Sequence, residues 1–130
     1  MPRVRDLTDD LVAFWRERHL CTVTTLRADG SPHVIPMGIV LDVERRLAWG
    51  ITSGSSQKVR NLRGGGDPRT AVCQVDGRRW STIEGVAEVL ADPDSVREAV
   101  RRYAERYRVP SENPARVAIR IRLERVLGNV

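Results

Sequence analysis

Apolar and polar positions along the chain change period several times, and each change marks an element. In DLTDDLVAFWRER the residues Leu7, Leu11, Val12, Phe14 and Trp15 recur at helical spacing, so a first helix is expected there with Asp6 or Thr8 as its cap. CTVTTLR then alternates and is rich in β-branched residues, and Asp29-Gly30 sits where a hairpin needs positive φ. Residues 21–27 and 33–41 should therefore pair as strands. RRLAWGITS reads as a third strand, and SSQKVRNLRG as a short helix capped by serines and stopped by Gly64-Gly65-Gly66. TAVCQVDGRRWSTIEGVAEVL supplies two more strands round a turn at Asp76-Gly77, with a bulge or bend expected at Gly85.

DPDSVREAVRRYAERYR is an amphipathic helix, with Asp92 or Asp94 as its cap and Val96, Val100, Tyr103 and Tyr107 on one face. PSENPA is loop, and RVAIRIRLERVL closes the chain as a half-buried strand. The order α-β-β-β-α-β-β-α-β, joined by short turns, predicts a mainly β (α+β) single domain over residues 1–130. A six-stranded antiparallel barrel with flanking helices fits it, its edges covered by closure or by a second copy of the chain.

Composition narrows the partners. The net charge of +5 favours anionic ligands, and the chain draws its positive charge from 21 arginines and a single lysine, Lys58. No apolar run approaches the roughly 18 residues of a membrane span, and MPRVRDLTDD turns acidic where a secretory signal would turn apolar, which argues for a cytoplasmic protein with no membrane partner. Cys21 and Cys73 lie in alternating runs and read as free thiols. With only His19 and His33 beside them, no metal site is expected.

GITSGSSQKVRNLR places Ser53, Ser55 and Ser56 between a strand end and a helix start, where backbone N–H groups are unpaired. Lys58 stands one turn into that helix, with Asn61 and Arg63 further along it. Such a stretch suits a phosphate, although the spacing matches neither a Walker loop nor G-x-G-x-x-G. Serines that only cap the helix and a lysine in solvent remain the alternative at this point.

The runs SPHVIPMG, GITSGSSQKVRNL and AVCQVDGRRWSTIEGVAEV, in this order, resemble the pyridoxamine 5'-phosphate-oxidase-like family of FMN- and F420-binding split β-barrels. The likeness extends from ERHLCTVTTLRADGSPHV to RVAIRIRLERVLG. Within the family, TTLRADGSPHV, SQKVRN, CQVDGRRW, RYAERYRVP and ERVLG are most similar to the branch that uses coenzyme F420, the F420H2-dependent biliverdin reductases above all. GGGDP before the fourth strand, and a chain ending at Val130, depart from the family pattern.

The resemblance implies a homodimer with two cofactor sites at the subunit interface. It implies coenzyme F420, or FMN as the alternative, and hydride transfer to a conjugated small-molecule acceptor such as biliverdin. Ser53, Gly54, Ser55, Ser56, Gln57 and Lys58 would hold the phosphate-bearing tail, with Asn61 and Arg63 beside them. Ile35, Pro36, Met37 and Gly38 would lie along the ring, and Gln74 and Trp80 would close the pocket. No side chain is assigned a catalytic role, because a deazaflavin carries the hydride itself.

Arg60, Arg63, Arg78 and Arg79 are candidates for the acceptor's carboxylates, or ordinary surface arginines. His33 is a candidate proton donor, or a hydrogen-bonded surface histidine. Trp15, Trp49, Tyr103 and Tyr107 are expected to pack helices on the barrel, and Arg106 or Arg108 to reach the acidic tail of the cofactor. The rivals are an FMN-dependent enzyme on the same barrel, a carrier without turnover, and an oligonucleotide-binding barrel, which the six aromatic residues of the chain disfavour.

Overall fold

The computed structural model describes residues 4–5 and 7–130, which form, in chain order, β1 (Val4–Arg5), α1 (Asp9–Arg16), β2 (Cys21–Leu26), β3 (Pro32–Met37), β4 (Val40–Asp42), β5 (Leu47–Ser53), α2 (Gln57–Leu62), β6 (Arg69–Asp76), β7 (Arg79–Leu90), α3 (Pro93–Arg106) and β8 (Arg116–Asn129). Thr8 caps α1 by accepting from the Leu11 N–H, while the alternative cap, Asp6, lies outside the described residues. Asp92 does the same for α3 through the Ser95 N–H.

All strand pairs are antiparallel, in the order β3-β2-β6-β7-β8-β5-β4, with β1 added on β8. Odd-numbered residues of β2 and β3 face inward with even-numbered residues of β6, and their buried members join one core from Cys21 and Val23 through Val72, Ile83 and Ile121 to Met37. The sheet curls until its ends meet. A Cβ on Gly50 of β5 would stand 2.8 Å from the Met37 methyl of β3, so the missing side chain is what lets these remote strands touch. Burying each of Ile83, Ile119 and Ile121 contributes roughly 1.5–3 kcal/mol.

Six long strands stand as expected, but the strand expected over 33–41 breaks in two. Its ladder with β2 ends at Met37, because the next backbone polar groups are taken by side chains. The Ile39 N–H donates to the Tyr107 hydroxyl at 3.2 Å, and the Ile39 carbonyl accepts from the Arg106 guanidinium. The chain then crosses to β5 as the short β4. The bulge expected at Gly85 is present between Glu84 and Gly85, where a Cβ would run into the Arg122 carbonyl.

The helices occupy different places on this frame. α1 lies at the end of the barrel marked by Ser81 and Gly128, with the Trp15 indole N–H donating to Ser81 Oγ at 2.9 Å. α2 lies at the other end, with Val59 and Asn61 buried. α3 covers β5 and β8 through Trp49, Ala99 and Ala118. The outward face of β3, β2 and β6 carries Val34 at 56% exposure and Val75 at 62%, an apolar surface that no described helix covers.

Candidate phosphate site at the α2 end of the barrel

α2 follows β5 directly, and Ser56 serves as its N-cap without any side-chain bond to the first turn. The flanking residues are tied down in turn. Ser53 Oγ accepts from Asn113 Nδ2 at 2.8 Å, the Gly54 N–H donates to the Ala115 carbonyl, and Ser56 Oγ is bonded to Thr52 Oγ1. Arg60 folds back onto the Ser55 carbonyl and the Gln57 side chain, and Gln57 Nε2 donates to Asn61 Oδ1 at 2.7 Å. Asn61 Nδ2 in turn donates to Thr25 Oγ1 at 2.8 Å, which locks the helix onto β2. Ser53, Gly54, Gln57 and Asn61 therefore shape the loop with their polar groups already engaged.

Lys58 differs from these residues. Its ammonium is half-buried, and burial pushes it below the usual lysine range with no carboxylate among the described residues acting in the other direction. Thr25 pairs with His33 across the β2–β3 hairpin, so the bond from Asn61 to Thr25 sets α2 beside that histidine. His33 Nδ1 is shut off from solvent and has no hydrogen-bond partner. Burial first, then the charges of Arg27, Lys58 and Arg60, push the His33 imidazole down, so it stands neutral at pH 7. Arg27 is fixed there by its bond to the Pro32 carbonyl at 2.7 Å.

Three cations and an orphaned ring nitrogen thus converge from the hairpin and α2, and no carboxylate acts on His33 among them. An anion is the complement this group lacks. The donor set fits a phosphate, with Lys58 as a compact point charge and Arg60 beside it.

Other expected site residues go elsewhere. Ile35 is partly buried against the core and Pro36 is exposed on the open face. Met37 fills the core, and Gly38 is buried where a Cβ would meet the Tyr107 and Tyr103 rings at 2.7 and 2.9 Å. Arg63 is exposed at the end of α2. Trp80 is half-buried on the outward face opposite Val75, next to Ser81 at the α1 end of the strands, so within one chain it does not meet Lys58.

The structure corrects three expectations. Gln74 is 1% exposed and turned inward, donating to the Phe14 carbonyl and accepting from Arg106 at 2.7 Å, so within one chain its side chain faces the core and not an open pocket. Arg106 is itself buried, bonded to the carbonyls of Glu17 and Ile39, and does not reach outward. Arg79 is spent between Glu17 and Asp76, which also fills the gap where Glu17, His19 and Asp76 approach one another. Arg78 stays exposed.

A cavity of about 570 Å³ opens on the outward side of the bulge, with Thr24, Leu26, Arg69, Glu84 and Arg125 in its lining. Its arginines are paired with Asp67 and Glu84, so it offers no free charge to a phosphate. Sequence reasoning had Lys58 but missed Arg27, and gave His33 no anion-binding role. The available signal was the Asp29-Gly30 turn, which fixes the register that sets His33 opposite Thr25.

Comparison with known proteins agrees with this architecture. The chain is 50% identical over 123 residues to an F420H(2)-dependent biliverdin reductase of Mycobacterium tuberculosis, covering 95% of this chain and 88% of that protein. A conserved hypothetical protein of the same organism has a crystal structure that superposes with a TM-score of 0.76 at 28% identity, over 92% of this chain and 81% of the other. An F420 reductase superposes with a TM-score of 0.70 at 23% identity, over 88% and 93% of the two chains. The family model described as pyridoxamine 5'-phosphate oxidase matches residues 7–129, and with the curled antiparallel sheet this shows that the chain belongs to that family.

Proposed function

We propose that this protein is a reductase that takes a hydride from reduced coenzyme F420 and delivers it to a conjugated acceptor of the biliverdin class. The observation that carries this reading is the 50% identity, over 95% of the chain, to an F420H(2)-dependent biliverdin reductase. Reduced deazaflavin supplies both electrons as a hydride, so the protein needs no nucleophile of its own. Its residues bind, orient and exclude water.

Lys58 holds the cofactor phosphate, with Ser55, Ser56 and Arg63 around it and Gln57 and Asn61 keeping α2 in place. Ile35 and Pro36 line the strand against which the ring lies. The protein works as a cytoplasmic homodimer with its cofactor sites at the interface. The uncovered face of β3, β2 and β6, with Val34 and Val75 exposed, supports a second copy there. Trp80 enters the site through that pairing, since it is remote from Lys58 within one chain.

Titration with oxidised F420 and, separately, with FMN, followed by fluorescence, tests the cofactor. Micromolar or tighter binding of F420 with weaker binding of FMN is expected. Preference for FMN would move the protein to flavin chemistry, and binding of neither would overturn the reading.

A further inference from the structure

His33 presents a physical puzzle that the proposed phosphate site does not by itself resolve. Neither ring nitrogen has a hydrogen-bond partner among the described residues, and Nδ1 is closed off from water. A ring nitrogen closed off from water without a partner costs free energy, and most such groups find one. Among the described residues, the charges that act on it are all positive: Arg27 from the hairpin, and Lys58 and Arg60 from α2. The nearest acid on the hairpin, Asp29, is turned to its own loop and accepts from the Ser31 N–H and hydroxyl at 2.9 and 2.6 Å. Thr25, across the ladder, offers no charge, and its hydroxyl is bonded to Asn61. Among the described residues, no carboxylate acts on His33 to favour a protonated ring at this place.

We propose that His33 takes up one proton from solvent when an anion settles among Lys58, Arg60 and Arg27, and so becomes a fourth positive group of the site. The ring is neutral while the charges acting on it are those of the three cations. A phosphate reverses the local field, and the imidazolium, with both nitrogens as donors, then has an acceptor it lacked. Binding is thereby linked to proton uptake.

The sign follows from that linkage. A group whose pKa rises on binding strengthens binding at low pH, and the benefit is lost as pH rises through the pKa of the bound state. Between the free and bound pKa values of His33, the dissociation constant rises about tenfold per pH unit. The identity of the anion as a cofactor phosphate rests on the function proposed above, but the protonation step needs only an anion of that charge.

The experiment follows the His33 ring by NMR across a pH titration of the intact protein in three states: free, saturated with sulfate, and saturated with oxidised F420. Sulfate does not itself titrate near neutral pH. The ring is expected to titrate below the usual histidine range when free, and at least about one unit higher with either anion. In parallel, F420 dissociation constants are measured against pH for the wild type and His33→Asn, so that titration of the cofactor cancels in the comparison. The variant is expected to lose the wild-type slope.

A ring that titrates at the same pH in all three states overturns the proposal, as does a variant that keeps the full slope. If sulfate moves the ring but F420 does not bind, the cofactor reading falls and the His33 proposal stands. If F420 binds through Lys58 while the ring stays unmoved, the proposal falls alone. The wild-type NMR titration decides even where His33→Asn does not fold.

Discussion

Lys58 is held partly out of water with no carboxylate opposite it among the described residues, a cost that an anionic ligand can offset. Lys58→Ala should weaken F420 binding at least tenfold, about 1.4 kcal/mol, in a fluorescence titration, while Lys58→Arg should retain part of the affinity. Arg106 poses the opposite case, a buried cation satisfied almost wholly by neutral acceptors: the Glu17 and Ile39 carbonyls and Gln74 Oε1. Its guanidinium also lies over the Trp15 and Tyr107 rings. Arg106→Met leaves those acceptors unmet and should cost on the order of 3 kcal/mol in urea denaturation. The special environment of Lys58 was legible as a lone lysine after three serines. Arg106 was not, since an arginine on an amphipathic helix ordinarily faces water, and only the course of the chain at Ile39 supplies acceptors for it.

At the level of elements, the sequence patterns located both caps, the hairpin turns and the Gly85 bulge, because each rests on local backbone chemistry. The break between β3 and β4 was hidden, because it depends on Tyr107 and Arg106 arriving from α3, far along the chain. Gly38 sits at that break, so Gly38→Ala should push its Cβ into the tyrosine rings and cost about 1–3 kcal/mol by the same denaturation measurement. The segment after α1 is tied to the β6–β7 hairpin by Glu17, whose carboxyl is held down from 4.5 to about 2 by hydrogen bonds from Arg79 first and His19 second. Stability from this pairing is fully present above the ordinary carboxyl range and is lost as pH falls towards the lowered value. Glu17→Gln should therefore lower the denaturation midpoint at neutral pH, and that difference should close near pH 2.

For the whole molecule, the order and direction of the strands were legible in the sequence, and the final place of individual side chains was less so. Alternation along each strand revealed the antiparallel barrel, yet it could not say that Gln74 would turn inward or that Trp80 would lie at the far end from α2. The uncovered sheet face should bury itself against a second copy, so light scattering should give about twice the chain mass of 14.6 kDa. Val75→Glu on that face should favour the monomer and, on the proposed placement of the sites between two copies, weaken F420 binding at least tenfold. Anaerobic mixing of the protein with reduced F420 and biliverdin, following cofactor fluorescence and acceptor absorbance together, tests the proposed activity itself. Protein-dependent oxidation of one reduced F420 per biliverdin consumed is expected, with Lys58→Ala slower at low cofactor concentration. No oxidation above the protein-free rate at saturating cofactor would contradict it.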